Sequence, residues 1–145
     1  MREPPPTASA RSGGLELTVA VDGTLLHVAL ANRSAGRLRV YFAVEGPSRR
    51  LHDFLTVALT AADGERLLRF TGDRNASTVG LVELAPGDAV ADDLDLRAWA
   101  LEPINGATPP APGSYALTAT YRVDQPGVWS GEIVAGPVGL VVGQA

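Results

Sequence analysis

Between Leu15 and Val142, apolar and polar residues alternate in short runs, broken by turn residues at intervals of about ten positions. A period of two puts successive side chains on opposite faces of an extended backbone, so each run reads as a strand with one face toward a core. Asp22-Gly23 and Asp63-Gly64 each join two such runs, and Asp-Gly favours tight hairpins because both residues tolerate positive φ.

The runs predict strands over Leu15–Val21, Thr24–Ala31, Arg37–Glu45, Phe54–Ala61, Arg66–Thr71, Val79–Leu84, Ala89–Leu96, Tyr115–Val123 and Val138–Val142. The sharpest is Arg37–Glu45, with Leu38, Val40, Phe42 and Val44 facing inward. In Tyr115–Val123 the inward set is Tyr115, Leu117, Ala119, Tyr121 and Val123. The connections are of hairpin length, whereas parallel pairing needs crossovers of roughly a dozen residues or more. The fold class is therefore all-β: an antiparallel Greek-key immunoglobulin-like β-sandwich of about eight or nine strands, with a closed barrel as the structural alternative.

The chain has 145 residues, 46% of them hydrophobic, enough for one core. Residues 1–14, rich in Pro, Ser, Ala and Gly, read as a flexible N-terminal tail, and 15–145 as a single domain. Met1-Arg2-Glu3-Pro4-Pro5-Pro6 carries no apolar signal core, leaving two compartments: the cytoplasm, or secretion with the signal absent from this sequence. No run approaches the roughly 18–20 apolar residues that span a bilayer. All twelve basic residues are Arg, the mark of a high-GC, bacterial genome.

Composition also bounds the chemistry. With no cysteine, a disulfide framework, a thiolate metal site and a cysteine nucleophile are excluded. A net charge of −4 runs against nucleic-acid partners, which call for a basic face. Imidazole comes only from His27 and His52. His27 shares a strand with inward-facing Leu26 and Val28, so it points to solvent. His52 stands beside Asp53, which could orient it as a base, but no Ser in a Gly-x-Ser-x-Gly turn accompanies it. Asp92, Asp93 and Asp95 could offer oxygens to calcium, although alternating Asp on a strand more often marks a solvated face or an edge protected from aggregation. Asn32-Arg33-Ser34 and Asn75-Ala76-Ser77 match the glycosylation sequon. The expectation is no enzyme, no cofactor and no metal.

The rhythm fails in two places, Gly46–Asp53 and Arg97–Pro112, and long irregular loops in small domains are where function collects. Arg49, Arg50 and His52 in the first and Trp99 in the second are the candidate binding residues, since Arg and Trp dominate interface hot spots. Trp99 and Trp129 both lie at strand–loop borders, where a Trp also serves to close the end of a core. The expected function is a non-catalytic protein-binding or accessory module acting through these loops, with a protein partner.

Several segments in order carry a family likeness. They are Val28-Ala29-Leu30-Ala31-Asn32-Arg33-Ser34, Asp53-Phe54-Leu55-Thr56-Val57 leading to Asp63-Gly64-Glu65, and Arg69-Phe70-Thr71-Gly72. Leu84-Ala85-Pro86-Gly87-Asp88, Asp93-Leu94-Asp95-Leu96 and Pro112-Gly113-Ser114-Tyr115 follow. This order resembles the immunoglobulin-like domain that precedes the catalytic domain in deuterolysin-type metallopeptidases. It is also similar to the intracellular proteinase inhibitor family. The resemblance implies a sandwich fold and, through the second family, an alternative function: a proteinase inhibitor presenting a loop to a protease cleft. The zinc-binding His-Glu-x-x-His helix of the peptidases is missing, so it implies no peptidase activity.

Overall fold

The computed structural model of the chain describes residues 6–41, 55–69, 81–101, 105–124 and 126–143. Ten strands and one helical turn follow one another: β1 Thr7–Ser12, β2 Leu15–Asp22, β3 Leu25–Asn32, β4 Leu38–Tyr41, β5 Leu55–Ala61, β6 Gly64–Arg69, β7 Leu81–Leu84, β8 Ala89–Asp95, α1 Leu96–Ala100, β9 Gly113–Val123 and β10 Gly131–Val142. The strands form a four-stranded sheet in the order β1-β2-β3-β8, a second in the order β10-β9-β5-β6, and the two-stranded pair β4-β7. Every ladder among the described residues is antiparallel. The fold is all-β, as the alternation predicts. No described helix is long and apolar enough to cross a membrane.

The inward faces are those that the period of two selects. Leu15, Leu17, Val19 and Val21 of β2 and Leu26, Val28 and Leu30 of β3 are buried. They join Leu55, Val57 and Leu59 of β5 and Leu117, Ala119, Tyr121 and Val123 of β9 in one hydrophobic cluster fed by both four-stranded sheets. Each fully buried Leu or Val contributes roughly 1.5–3 kcal/mol relative to exposure. In β10 the buried residues are Ile133 and Ala135, then Val138, Leu140 and Val142, because a register shift between Ala135 and Val138 changes the parity. Gly136 sits in that bulge with φ +129°, and a Cβ there would stand 2.6 Å from the Leu117 carbonyl oxygen. The parity change explains why the sequence pattern picks out only Val138–Val142 of a longer strand.

The N-terminal segment departs from expectation. Over residues 7–12 the tail read across 1–14 is instead β1, paired with β2 from Thr7↔Ala20 to Ser12↔Leu15. Gly13 and Gly14 form the two-residue turn, both with positive φ (57° and 82°), the requirement of a primed hairpin. Two further contacts hold β1. Glu16 of β2 accepts from Arg11 Nε (3.0 Å) and from Arg33 Nε (3.1 Å), and the Trp129 indole N–H donates to the Ser12 carbonyl (3.1 Å). The Trp129 ring lies stacked on Tyr121, centroids 5.7 Å apart.

The expected Asp-Gly hairpins form, each displaced by one residue. Asp22 pairs with Leu25, so Gly23 and Thr24 are the turn, whereas Ala61 pairs with Gly64, so Ala62 and Asp63 are. β4 covers Leu38–Tyr41 of the strand expected over Arg37–Glu45, with Val40 fully buried; the remainder of that run lies outside the described residues.

Asn32, at the end of β3, is a polar residue with no exposure at all. Its Nδ2 donates to the Gly36 carbonyl (2.7 Å) and the Leu84 carbonyl (2.9 Å), while Oδ1 accepts from the Ser34 N–H (2.8 Å) and hydroxyl (2.7 Å). Its backbone N–H donates to the Asp88 carbonyl, and its own carbonyl accepts from the Gly87 N–H. One residue thus joins the β3–β4 turn, the end of β7 and the β7–β8 turn. The buried amide also removes Asn32 from service as a glycosylation acceptor.

Two predictions follow from these contacts. Asn32→Ala leaves two carbonyls without their amide donor and is expected to cost about 2–4 kcal/mol in urea unfolding; a cost below about 0.5 kcal/mol would contradict the assigned role. The hydrogen bond from Arg11 first, and that from Arg33 after it, hold the Glu16 carboxyl below the usual glutamate range against the opposing effect of burial. A depressed folded pKa gives stability that is present above the unfolded value and lost as pH falls through the folded one. Wild type should therefore exceed Glu16→Gln in urea midpoint at neutral pH, the two converging as pH drops below about 4.

Candidate functional site

The chain leaves β8 into α1 because Asp95 caps it: the carboxylate accepts from the Arg97 N–H (3.0 Å) and the Ala98 N–H (3.3 Å). Leu96, Trp99 and Ala100 turn into the core. Trp99 is 8% exposed, so this candidate binding residue is a core side chain that closes the end of the hydrophobic cluster. The other three candidates, Arg49, Arg50 and His52, lie outside the described residues, as does the whole Gly46–Asp53 loop.

The second interruption, Arg97–Pro112, is built around a residue the sequence did not single out. Arg66 pairs with Leu59 across the β5–β6 ladder and so lies on the inward face, at the end of the sheet. Its Nη2 donates to three carbonyls: Ala100 (3.1 Å), Asn105 (2.5 Å) and Thr108 (2.7 Å). An arginine at an inward position is tolerable only where its stem packs and its head finds acceptors, and the last carbonyl of α1, which also accepts from the Thr108 N–H, together with two carbonyls of the following loop, supplies them. Gly106, at φ +100°, adopts a backbone conformation that a side chain would strain. Asn105, nearly buried, adds a bond from Nδ2 to the Trp99 carbonyl (2.8 Å), and the Tyr115 hydroxyl donates to the Ala111 carbonyl (2.5 Å). The loop is thereby fixed at 105, 108 and 111 by side chains from outside it. Ala107 is held at φ +54°, a left-handed conformation costing a non-glycine residue roughly 1–2 kcal/mol. The loop keeps this geometry because its neighbours impose it.

Between this loop and the β5–β6 hairpin runs an open groove of about 370 Å³. Pro109, Pro110 and Tyr115 line it on one side, and Asp63, Gly64, Glu65 and Arg66 of the hairpin on the other, with the Glu65 side chain turned to the outer face, where it meets the Thr60 hydroxyl (3.4 Å). On the other side of the same prolines lies a smaller depression of about 110 Å³ lined by Thr24, Arg97, Pro109, Pro110 and Pro112. The proline ridge thus stands between two depressions, each with an arginine in its lining, Arg66 in one and Arg97 in the other.

Asp93 and Asp95 serve structural contacts. His27 Nδ1 and Asp93 Oδ1 lie 2.5 Å apart across the β3–β8 ladder, the first partly and the second mostly exposed, while Asp95 caps α1. Among the described residues no three potential metal ligands cluster. No known family model and no curated protein matches the chain.

Removing the Arg66 fork should loosen the loop selectively. Arg66→Met is expected to lower stability by about 1–3 kcal/mol and to speed amide exchange over Asn105–Thr108 well beyond that over β2 and β3. Equal acceleration in both regions would mean that Arg66 supports the fold as a whole and not this loop.

Proposed function

We propose that the chain is a non-catalytic protein-binding or accessory module, an immunoglobulin-like Greek-key β-sandwich that acts through its loops. The observation that carries this reading is the proline-rich loop 105–112, whose carbonyls are held by Arg66 and Tyr115 so that it walls a groove of fixed shape. A surface loop ordered in advance loses little entropy when a partner docks, which favours affinity. The Pro109 and Tyr115 rings supply apolar contact, and flanking charges supply selectivity. The order of strand and turn segments that resembles the domain preceding deuterolysin-type catalytic domains supports the same accessory role.

The held loop also favours a second reading, a proteinase inhibitor of the kind the intracellular inhibitor family represents. A loop that enters a protease cleft must keep its backbone in place, and side chains from outside hold this one at three carbonyls. Titration against a panel of serine proteases and metalloproteases separates the two readings. Slowing at near-stoichiometric protein favours inhibition, and no slowing at high molar excess removes it.

The binding reading is tested by obstructing the groove at exposed positions. Pro109→Arg and Ala111→Arg should reduce recovery of the native partner by tenfold or more while the circular dichroism spectrum and the urea midpoint stay unchanged. Undiminished recovery would place the binding surface elsewhere.

A further inference from the structure

We infer that Thr108–Pro112 is itself the ligand, a held polyproline II ridge that inserts into a shallow aromatic groove of the partner protein, with Arg97 reaching a carboxylate at that groove's margin. The inference rests on the binding-module reading above and names the chemistry of what the module meets. Its first ground is the backbone that the sequence dictates. Pro109, Pro110 and Pro112 have φ fixed at roughly −65°, and Thr108, Pro109 and Ala111, each preceding a proline, are pushed to the extended region. Such a run is polyproline II, with three residues per turn and no internal hydrogen bonds. No residue from 108 to 112 has a positive φ, and none belongs to a strand or helix. The domain holds the run with the same period. The Thr108 carbonyl accepts from Arg66 Nη2 (2.7 Å) and the Ala111 carbonyl from the Tyr115 hydroxyl (2.5 Å), two acceptors three residues apart.

The second ground is which edges of the ridge are free. A threefold helix has three edges, here Thr108 with Ala111, Pro109 with Pro112, and Pro110 alone. Residues 108, 109, 111 and 112 are exposed, whereas Pro110 is buried against the chain's own body. A groove that receives such a helix covers two edges and leaves the third facing away. The one residue that the domain buries is therefore the one that a partner's groove does not need. The ridge also stands between depressions of about 370 Å³ and 110 Å³, into which the rims of a partner's groove can descend. Strand addition does not suit this segment, because three of its five residues lack an N–H to offer a ladder. The third ground is charge. Arg97 is exposed and lines the smaller depression together with Pro109 and Pro112, and its guanidinium has no acceptor among the described residues. A planar guanidinium beside the ridge matches a carboxylate beside the aromatic groove.

The test titrates the full chain into a panel of purified, isotope-labelled SH3 domains that carry acidic residues beside their aromatic groove, read by amide chemical shifts. Binding is expected with Kd on the order of 10 µM to 1 mM for so small a contact, and with shifts confined to the aromatic groove and its acidic margin. Pro112→Ala should weaken binding roughly tenfold, since it removes one ring from an exposed edge. Arg97→Glu should weaken it by about the same factor, and the difference from wild type should narrow as salt rises. Pro86→Ala, at an exposed proline in the β7–β8 turn, should leave the affinity unchanged. Circular dichroism and the urea midpoint check that each variant is folded. Failure of every domain to bind, shifts centred away from the aromatic groove, or equal affinity for wild type and Pro112→Ala would each overturn the inference. If the inference fails while Pro109→Arg still abolishes partner recovery, the binding reading stands and only the mode of recognition is wrong.

Discussion

A single fully buried side-chain amide holds one end of this molecule together. Asn32 uses both amide hydrogens and its side-chain carbonyl oxygen inside the protein, and its backbone reaches the β7–β8 turn as well. In a low-dielectric interior each of these bonds is stronger than in water, and each unmade bond would be costly. A hydrophobic residue here could fill the space but would leave the Gly36 and Leu84 carbonyls without this donor. The strands that meet at Asn32 are far apart in sequence, so the amide fixes a long-range arrangement that hydrophobic burial, being non-directional, leaves unspecified.

The opposite end of β3 uses the same device with a different outcome. Arg66 gathers three carbonyls from α1 and the following loop, much as Asn32 gathers two, but it does so at a half-open edge. Where Asn32 seals its end, Arg66 props a loop outward and leaves a groove beside it. The difference is one of reach. An amide on a short stem draws turns inward against the core, whereas a guanidinium on a long stem can hold a loop at a distance from the sheet. A proline-rich segment suits such a hold, since its restricted backbone leaves less entropy to suppress. The proposed function depends on this contrast between a closed end and a walled, charged one.

The alternation made the inward faces of β2, β3 and β9 legible residue by residue, because a half-buried strand has no other way to satisfy its side chains. Harder to see was any element whose pattern is small or broken. β1 carries Ala8, Ala10 and Ser12 inward, too small to stand out from a polar linker, although Gly13-Gly14 is a hairpin signal in its own right. The first half of β10 is hidden by the bulge at Gly136. Arg66 was legible only as the polar start of a strand, for nothing local marks an arginine whose acceptors lie some forty positions onward. Trp99 carried the right signal for a loop border, and the structure places it in the core. The interrupted segment it introduces did prove to be where a groove forms.

The claim at the centre of this account is that partners meet the molecule at the Arg66-held groove. Amide hydrogen exchange measured on the complex with the native partner tests it most directly. Protection confined to the Ala61–Arg66 hairpin and the Thr108–Tyr115 segment is the predicted result. Protection centred instead on the outer faces of the four-stranded sheets, with the groove exchanging as in the free chain, would contradict it.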